Sequence, residues 1–441
     1  MIFTVFLFVF ILVNLLLIKK TKLTIFCNEI FWLCTIWIMC LGTYITSGIS
    51  YAGYGLSVYS VSFLLFCLMA FIVGRKKGLN TKVKVFSSVL PKTIVSMKAL
   101  LLGLLGVFMY IFDYLRLNGL AFLAFDIGGK QEVELSILGT VGCLLLPLLL
   151  VQGLAIFVES LIKKNTFSFK ALGILIFYTL PAALQGGRES ILFILIGILS
   201  LYGYKATLKQ KNIYLPIYLK RKNNKKIWNY IFLSLGVLFL GFSIYMISTV
   251  RFAESDISYF LYMNDVPEDV VVQGEKWGPI SFLYFNFLSY FSHQIPFLDL
   301  TLQEYEGPYL LGMYEFNIIS RRLPDFLGLD YVLVFRSINK MLVEHNATML
   351  QGEWNTVLGS FICDFGRLGA IFACYVIGNV LGKIRKKMVN SYDMRYAVLV
   401  SLLCLSAFST VQLGPFFQTS IWSTYLWWYI IYHKKEVQII K

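Results

Sequence analysis

The sequence predicts an all-α, polytopic integral membrane protein of about eleven helices with one large extracytoplasmic loop. Three observations predict it. Hydrophobic residues make up 58% of the 441 residues while charged ones make up 14%, against about 25% charged in an ordinary globular chain. Apolar runs near the length of about 20 residues that spans a bilayer recur along the whole chain. Lys and Arg are not spread out but crowd into short clusters beside those runs, namely Lys19-Lys20, Arg75-Lys76-Lys77, Lys163-Lys164, Lys220 to Lys226, Arg385-Lys386-Lys387 and Lys434-Lys435.

Taken in order, hydropathy and charge together give spans at 2–18, 26–46, 55–74, 98–117, 136–160, 168–185, 189–204, 228–250, 356–381, 395–412 and 416–432. The first lacks a basic leader and a small-residue cleavage site, so it reads as a retained helix. Alternating the spans places the N-terminus outside and the C-terminus inside. Every basic cluster then falls on the cytoplasmic side, as positive-inside insertion requires. The net charge of +15 is therefore an insertion signal that also suits anionic lipid head groups, and not a nucleic-acid patch. All eight cysteines lie in apolar runs and none forms a CxxC pair. They read as small buried hydrophobes, with neither a disulfide framework nor a zinc site implied.

Between the eighth and ninth spans lies the interval 251–355, acidic and rich in aromatic residues. Loops beyond about 12–15 residues are uncommon and usually functional. Inside it, residues 278–300 are apolar but studded with Ser281, Asn286, Ser289, His293 and Gln294. That pattern predicts an amphipathic helix lying at or dipping into the membrane surface, in preference to a spanning one. With no repeat visible, residues 1–441 read as one integral domain carrying this one elaborated loop.

Chemistry is first bounded by what is missing. The sequence holds no HExxH and no P-loop, and "GNVLGK" (378–383) is one residue short of the latter. ATP-driven transport and metal hydrolysis lose weight accordingly. Membrane-interior carboxylate relays are sparse too. Asp113 and Glu159 sit near span ends, where a charge reaches the interface at modest cost.

The outward-facing charges are more informative. Arg116, Arg188, Arg251, Arg321-Arg322 and Arg336 all fall at outer span ends or in the large loop. Guanidinium forks match phosphate oxygens bidentately, so together these could form a ring for a pyrophosphate at head-group level. For Arg116, Arg336 and Arg367, snorkelling to lipid phosphates is the stronger reading. Arg188 differs, because Gly186 and Gly187 just before it bring backbone N–H groups close to whatever it holds. Glu189, next to it, either orients the arginine or contacts sugar.

A second constellation lies at 351–372. Asn355-Thr356 suits a cap on the ninth span. Asp364 stands two turns deeper with Arg367 at i+3, which reads equally as a local ion pair or as a base in a partly dry site. His293 and His345 read as surface or hydrogen-bonding residues, and Asn346-Ala347-Thr348 matches a short glycosylation sequon.

With "GGRE" (186–189) on an outer hairpin, "GPYLLGMYEFNIISRRLP" (307–324) in the large loop and "GEWNTVLGSFICDFGRLGAIF" (352–372) after it, the chain resembles the bacterial Wzy family of O-antigen, or oligosaccharide repeat-unit, polymerases. "RRLPDFLG" lacks the lysine-proline part that many relatives carry, which leaves Arg321 and Arg322 undivided in role. The resemblance implies a GT-C-like glycosyltransferase of the bacterial inner membrane with a periplasmic site. Such an enzyme passes a growing glycan from undecaprenyl diphosphate to the non-reducing sugar of a second lipid-linked repeat unit. It implies no cofactor, no nucleotide sugar and no metal, and a chain-length regulator protein as a possible partner besides membrane lipid.

Under that resemblance Arg188, Arg251 and one or both of Arg321 and Arg322 hold the donor diphosphate, with Gly186, Gly187 and Glu189 beside them. Glu315 or Asp364 takes the acceptor's proton. Tyr309, Tyr314, Trp354 and Asn355 contact sugar. An O-antigen ligase has similar topology and is the nearest alternative; a flippase is the non-enzymatic one, and a bare channel or scaffold ranks last.

Overall fold

The protein is described from a computed structural model. It describes residues 23–47, 54–81, 94–118, 136–184, 189–210, 291–312, 332–347, 355–391, 393–410 and 419–432, with 268, 271, 272, 276 and 314. Among these residues every extended element is helical and no strand occurs.

After a 3-10 turn at Leu23–Cys27 the helices are α1 (Glu29–Ser47), α2 (Val58–Asn80), α3 (Met97–Asn118), α4 (Ile137–Leu145), α5 (Pro147–Glu159), α6 (Phe169–Leu184) and α7 (Glu189–Gln210). Then come α8 (Gln294–Glu304), α9 (Val332–Glu344), α10 (Val357–Ser391), α11 (Met394–Ser409) and α12 (Thr419–Tyr432). Among the described residues four stretches are long and apolar enough to cross a bilayer: Val58–Asn80, Met97–Leu117, Ile137–Lys164 and Val357–Met388. The expected spans 2–18 and 228–250 lie outside the described residues; the others coincide with described helices.

Local chemistry sets the boundaries. Ser57 accepts the Ser60 N–H at 3.0 Å and so starts α2 three residues late of the expected position. Pro147 has no N–H to give, and it stands as the first residue of α5, where none is needed. The expected fifth span is thus two stacked helices with a π turn at Ser160–Lys164.

Three apolar clusters form among the described residues. The largest surrounds α5, whose residues 147–155 are all buried, and draws on α3, α6, α7, α11 and α12. The second joins α2, α8, α9 and α10, and Ile36 and Cys40 of α1 meet Ile295 of α8 between the two. Outward faces are apolar as well. On α3 these are Leu101, Leu105, Phe108 and Phe112, and on α10 Leu368, Phe372, Val376 and Val380. Stripes of this kind are stable only against lipid or another apolar surface.

The closest helix pair is α2 with α10. They run parallel, since residue 71 meets 378 and residue 78 meets 379 and 383. A Cβ on Gly74 or Gly78 would fall 2.1 Å from a carbonyl oxygen of α10, and one on Gly378 or Gly382 within 2.3 Å of one of α2. "GRKKG" and "GNVLG" are therefore two facing small-xxx-small motifs, which lets the backbones touch. The resemblance of 378–383 to a phosphate loop has this packing as its physical cause. At the basic end of the pair Glu29, 2% exposed, bonds Arg75 at 2.7 Å, and Arg385 lies 3.9 Å from its second oxygen.

Two expectations are corrected here. The 278–300 segment was expected at the membrane surface. Its described part instead enters α8, whose residues 294–302 are buried against α10 and α1. The polar groups of α8 find partners inside, so burial costs little. Amphipathic character falls on α9, where Ile338, Met341 and Leu342 are buried while Lys340 and Glu344 are exposed. Asp113 stands near the end of α3, as its sequence position predicts, and is tied there: it accepts the N–H groups of Ser136 at 3.0 Å and Gly139 at 3.2 Å at the start of α4, with the half-exposed Arg116 at 3.1 Å. Finally, Cys34 is exposed on α1 and Cys143 half-buried, while the remaining cysteines are buried and none of the eight is in a disulfide.

Candidate functional site at the break in α10

α10 begins as its sequence predicts at one residue and differently at the next. Thr356 Oγ1 accepts the Gly359 N–H at 3.1 Å and caps the helix. Asn355 turns the other way and donates its Nδ2–H to Thr301 Oγ1 of α8 at 3.0 Å. It is 1% exposed, so it braces the two helices from inside and offers nothing at the surface.

Ten residues on, Gly366 takes φ 74° and ψ 175° and interrupts the helix. Only glycine adopts that region readily. The interruption frees carbonyls that a continuous helix would use. Cys363 O accepts the Leu310 N–H at 3.1 Å, and Asp364 O accepts that of Leu311 at 2.9 Å. Asp364 Oδ1 accepts the Tyr314 N–H at 2.9 Å. The 305–314 loop is thus bonded along the broken turn at three points.

Tyr309 lies directly over the break: a Cβ on Gly366 would sit 3.0 Å from its ring carbon Cζ. The ring is 52% exposed, beside exposed Phe365 and Leu368. It is the described aromatic residue of the loop that offers a face. Tyr314 does not: it is 7% exposed and packs in the second core, which corrects the expectation that it stacks on sugar.

Arg367 follows the break and donates to Leu302 O at 2.6 Å and Gln303 O at 2.9 Å, capping the carbonyl end of α8. The expected i+3 pairing with Asp364 needs an unbroken helix, and Gly366 removes it. Snorkelling does not describe Arg367 either, since its Nε and one terminal nitrogen are spent on α8. Asp364 is fully buried and holds the loop.

Where α8 ends, a second polar group gathers that the sequence did not reveal. Asp299 accepts the Ser57 hydroxyl at 2.6 Å and the Gly55 N–H at 3.1 Å, tying α8 to the start of α2. One turn on, Glu304 Oε1 lies 3.1 Å from the Tyr54 hydroxyl, which itself lies 3.0 Å from His345 Nδ1. His345 Nε2 is 3.5 Å from Glu304 Oε2. Burial and the neighbouring Glu304 and Asp299 carboxylates push the Tyr54 hydroxyl above its ordinary value, so it stays protonated. Tyr54 precedes α2, Glu304 ends α8 and His345 follows α9, and no spacing in the sequence links them.

The remaining expected site residues lie elsewhere. Gly186, Gly187, Arg188, Arg251, Glu315, Arg321, Arg322 and Trp354 fall outside the described residues. Glu189 is the first described residue of α7, after α6 ends at Leu184. Ser190, beside it, is buried with no partner for its hydroxyl among the described residues. No known protein family, no curated protein and no solved structure matches the chain.

Proposed function

We propose that the chain is a repeat-unit polymerase: a GT-C-like, inner-membrane glycosyltransferase that moves a growing glycan from one undecaprenyl diphosphate carrier onto a second lipid-linked repeat unit at the periplasmic face. The observation that carries the reading is the break at Gly366. It falls inside "GEWNTVLGSFICDFGRLGAIF", the stretch on which the family resemblance rests, and it sets Tyr309 and the 305–314 loop at one end of an apolar helical bundle. A half-exposed aromatic ring on a fixed backbone suits sugar stacking.

In the proposed reaction the acceptor's sugar hydroxyl oxygen attacks the donor's anomeric carbon. The bond from that carbon to the diphosphate oxygen breaks, and its electron pair leaves on undecaprenyl diphosphate. Arg188, Arg251 and one or both of Arg321 and Arg322 bind the two phosphates and stabilise the charge that develops there, with Gly186, Gly187 and Glu189 completing the turn. In this reading Trp354 contacts sugar and Glu315 is a candidate for taking the acceptor's proton. A chain-length regulator is the expected protein partner.

Deleting the gene tests the class. Loss of a polymerase leaves a single repeat unit on the lipid A core, whereas loss of a ligase leaves the core bare and loss of a flippase keeps repeat units inside the cell. Arg188→Ala, expressed at the normal level in the null strain, is expected to abolish the long-chain ladder; a normal ladder removes Arg188 from the mechanism.

A further inference from the structure

The hydrogens of the Tyr54–Glu304–His345 group show what it can do. Two hydrogen bonds link it: His345 Nδ1 lies 3.0 Å from the Tyr54 hydroxyl, and that hydroxyl donates to Glu304 Oε1 at 3.1 Å. The phenol's one O–H is spent on the carboxylate, so Nδ1–H donates to the Tyr54 oxygen. A neutral imidazole carries one N–H, which leaves Nε2 with a lone pair, 3.5 Å from Glu304 Oε2. A proton taken up at Nε2 then faces that carboxylate oxygen as an ion pair.

Several charged side chains stand around the group. Asp299, one turn before Glu304 on α8, adds a second carboxylate, and Glu344 of α9 precedes His345. Glu306 follows in the loop. Against them stand Lys340, 3.6 Å from Glu344, and Arg367, whose guanidinium is held by the Leu302 and Gln303 carbonyls. Tyr44 approaches from α1 beside Gly55. The side chains of both Glu304 and His345 are 31% exposed, so a hydroxyl from outside can reach them. The group is also continuous with the break in α10, because Glu304 leads straight into the 305–314 loop.

We infer that Tyr54, Glu304 and His345 form a one-proton acceptor that takes the proton of the attacking sugar hydroxyl. The inference rests on the polymerase reading and assigns the base within it. The acceptor's O–H bond breaks as its oxygen bonds the anomeric carbon, and the proton passes to the imidazole. The electron pair of the broken glycosyl bond leaves on the diphosphate, so no other reactant is needed. Glu304 and Tyr54 act as positioning residues for the imidazolium, and Asp364, sealed in the core, is released from the role of base.

Two measurements on the purified full-length protein test it. The first uses 15N-histidine NMR at about pH 5.5, one unit below the ordinary histidine value, with signals assigned by their loss in His345→Gln. Two exchange-protected ring N–H signals are expected for His345, with Tyr54→Phe exposing Nδ1–H and Glu304→Gln exposing Nε2–H. Unprotected signals, or protection indifferent to both variants, overturn the arrangement. The second follows polymer formation from lipid-linked repeat units. His345→Gln is expected to lower kcat by about 100-fold or more, the usual worth of a general base, with the KM for donor unchanged; Tyr54→Phe is expected to shift the acid limb of the pH profile. A wild-type rate in His345→Gln overturns the inference while leaving the polymerase reading intact. No polymer from the wild-type protein overturns that reading, and the assignment to a sugar hydroxyl with it.

Discussion

Replacing Gly366 with alanine sets two structures of α10 against each other. Keeping the break forces a Cβ residue to φ 74° and ψ 175°, at a cost of about 1–3 kcal/mol for such a region. The same Cβ meets the Tyr309 ring at 3.0 Å, which a small ring movement relieves. Straightening the helix instead forfeits the Leu310, Leu311 and Tyr314 N–H bonds to Cys363 O, Asp364 O and Asp364 Oδ1. Two neutral bonds at about 1 kcal/mol and one to a carboxylate at about 1.5–3 kcal/mol outweigh the strain. The loop therefore stays docked, but by a margin reduced by about 1–3 kcal/mol, which raises its open population by roughly 5- to 150-fold. Hydrogen exchange of a peptide covering 305–314, measured in detergent, reads this directly. Faster exchange there, with α5 and α11 unchanged, is the expected result. Exchange equal to wild type would mean that the loop does not depend on the break, and the account of the site would fail.

The parallel crossing of α2 and α10 sets the Cys67 and Cys374 thiols against each other. A mild oxidant should therefore join them, and a protease site inserted at 219–226 should yield fragments that part only on reduction; fragments that part without reductant refute the crossing. Gly378→Val places side-chain atoms on a carbonyl oxygen that a Cβ alone would approach to 2.2 Å, so overpacking of about 1–3 kcal/mol or more is expected as a lower melting temperature. Asp299→Asn leaves an amide N–H₂ facing the Ser57 hydroxyl or the Gly55 N–H. It should lose about 1.5–3 kcal/mol, with Ser57→Ala losing less. Because the Tyr54 hydroxyl is raised above its ordinary 10.0 in the folded protein, the stabilisation it gives is whole below that value and is lost as pH rises beyond it. Tyr54→Phe should remove this alkaline loss in a melting series, and an unchanged series would count against the Tyr54–Glu304 contact.

The helices were legible because their signals are local. Apolar length marked α2, α3 and α10, and Thr356 announced the start of α10. The break within α10 was not legible, since a lone glycine such as Gly366 is tolerated inside a helix. What decides for the break is a set of N–H groups from a loop 50 residues earlier. The same distance hid the burial of α8, whose Asp299 and Thr301 look solvent-facing until Ser57 and Asn355 are placed beside them. It hid Tyr54, Glu304 and His345 for the same reason. Conversely, "GNVLGK", one residue short of a phosphate loop, is a helix contact, because glycine serves close approach in both. For Tyr309 and Tyr314 residue type allowed either sugar stacking or packing, and burial decides which of the two has a face to offer.

The central claim is tested most directly with purified wild-type protein in liposomes supplied with undecaprenyl-diphosphate-linked repeat units and no nucleotide or added metal. A ladder of products, each one repeat unit longer than the last, with undecaprenyl diphosphate released in equal amount, is the predicted result. Repeat units that remain single, or that are transferred only when lipid A core is added, would contradict it.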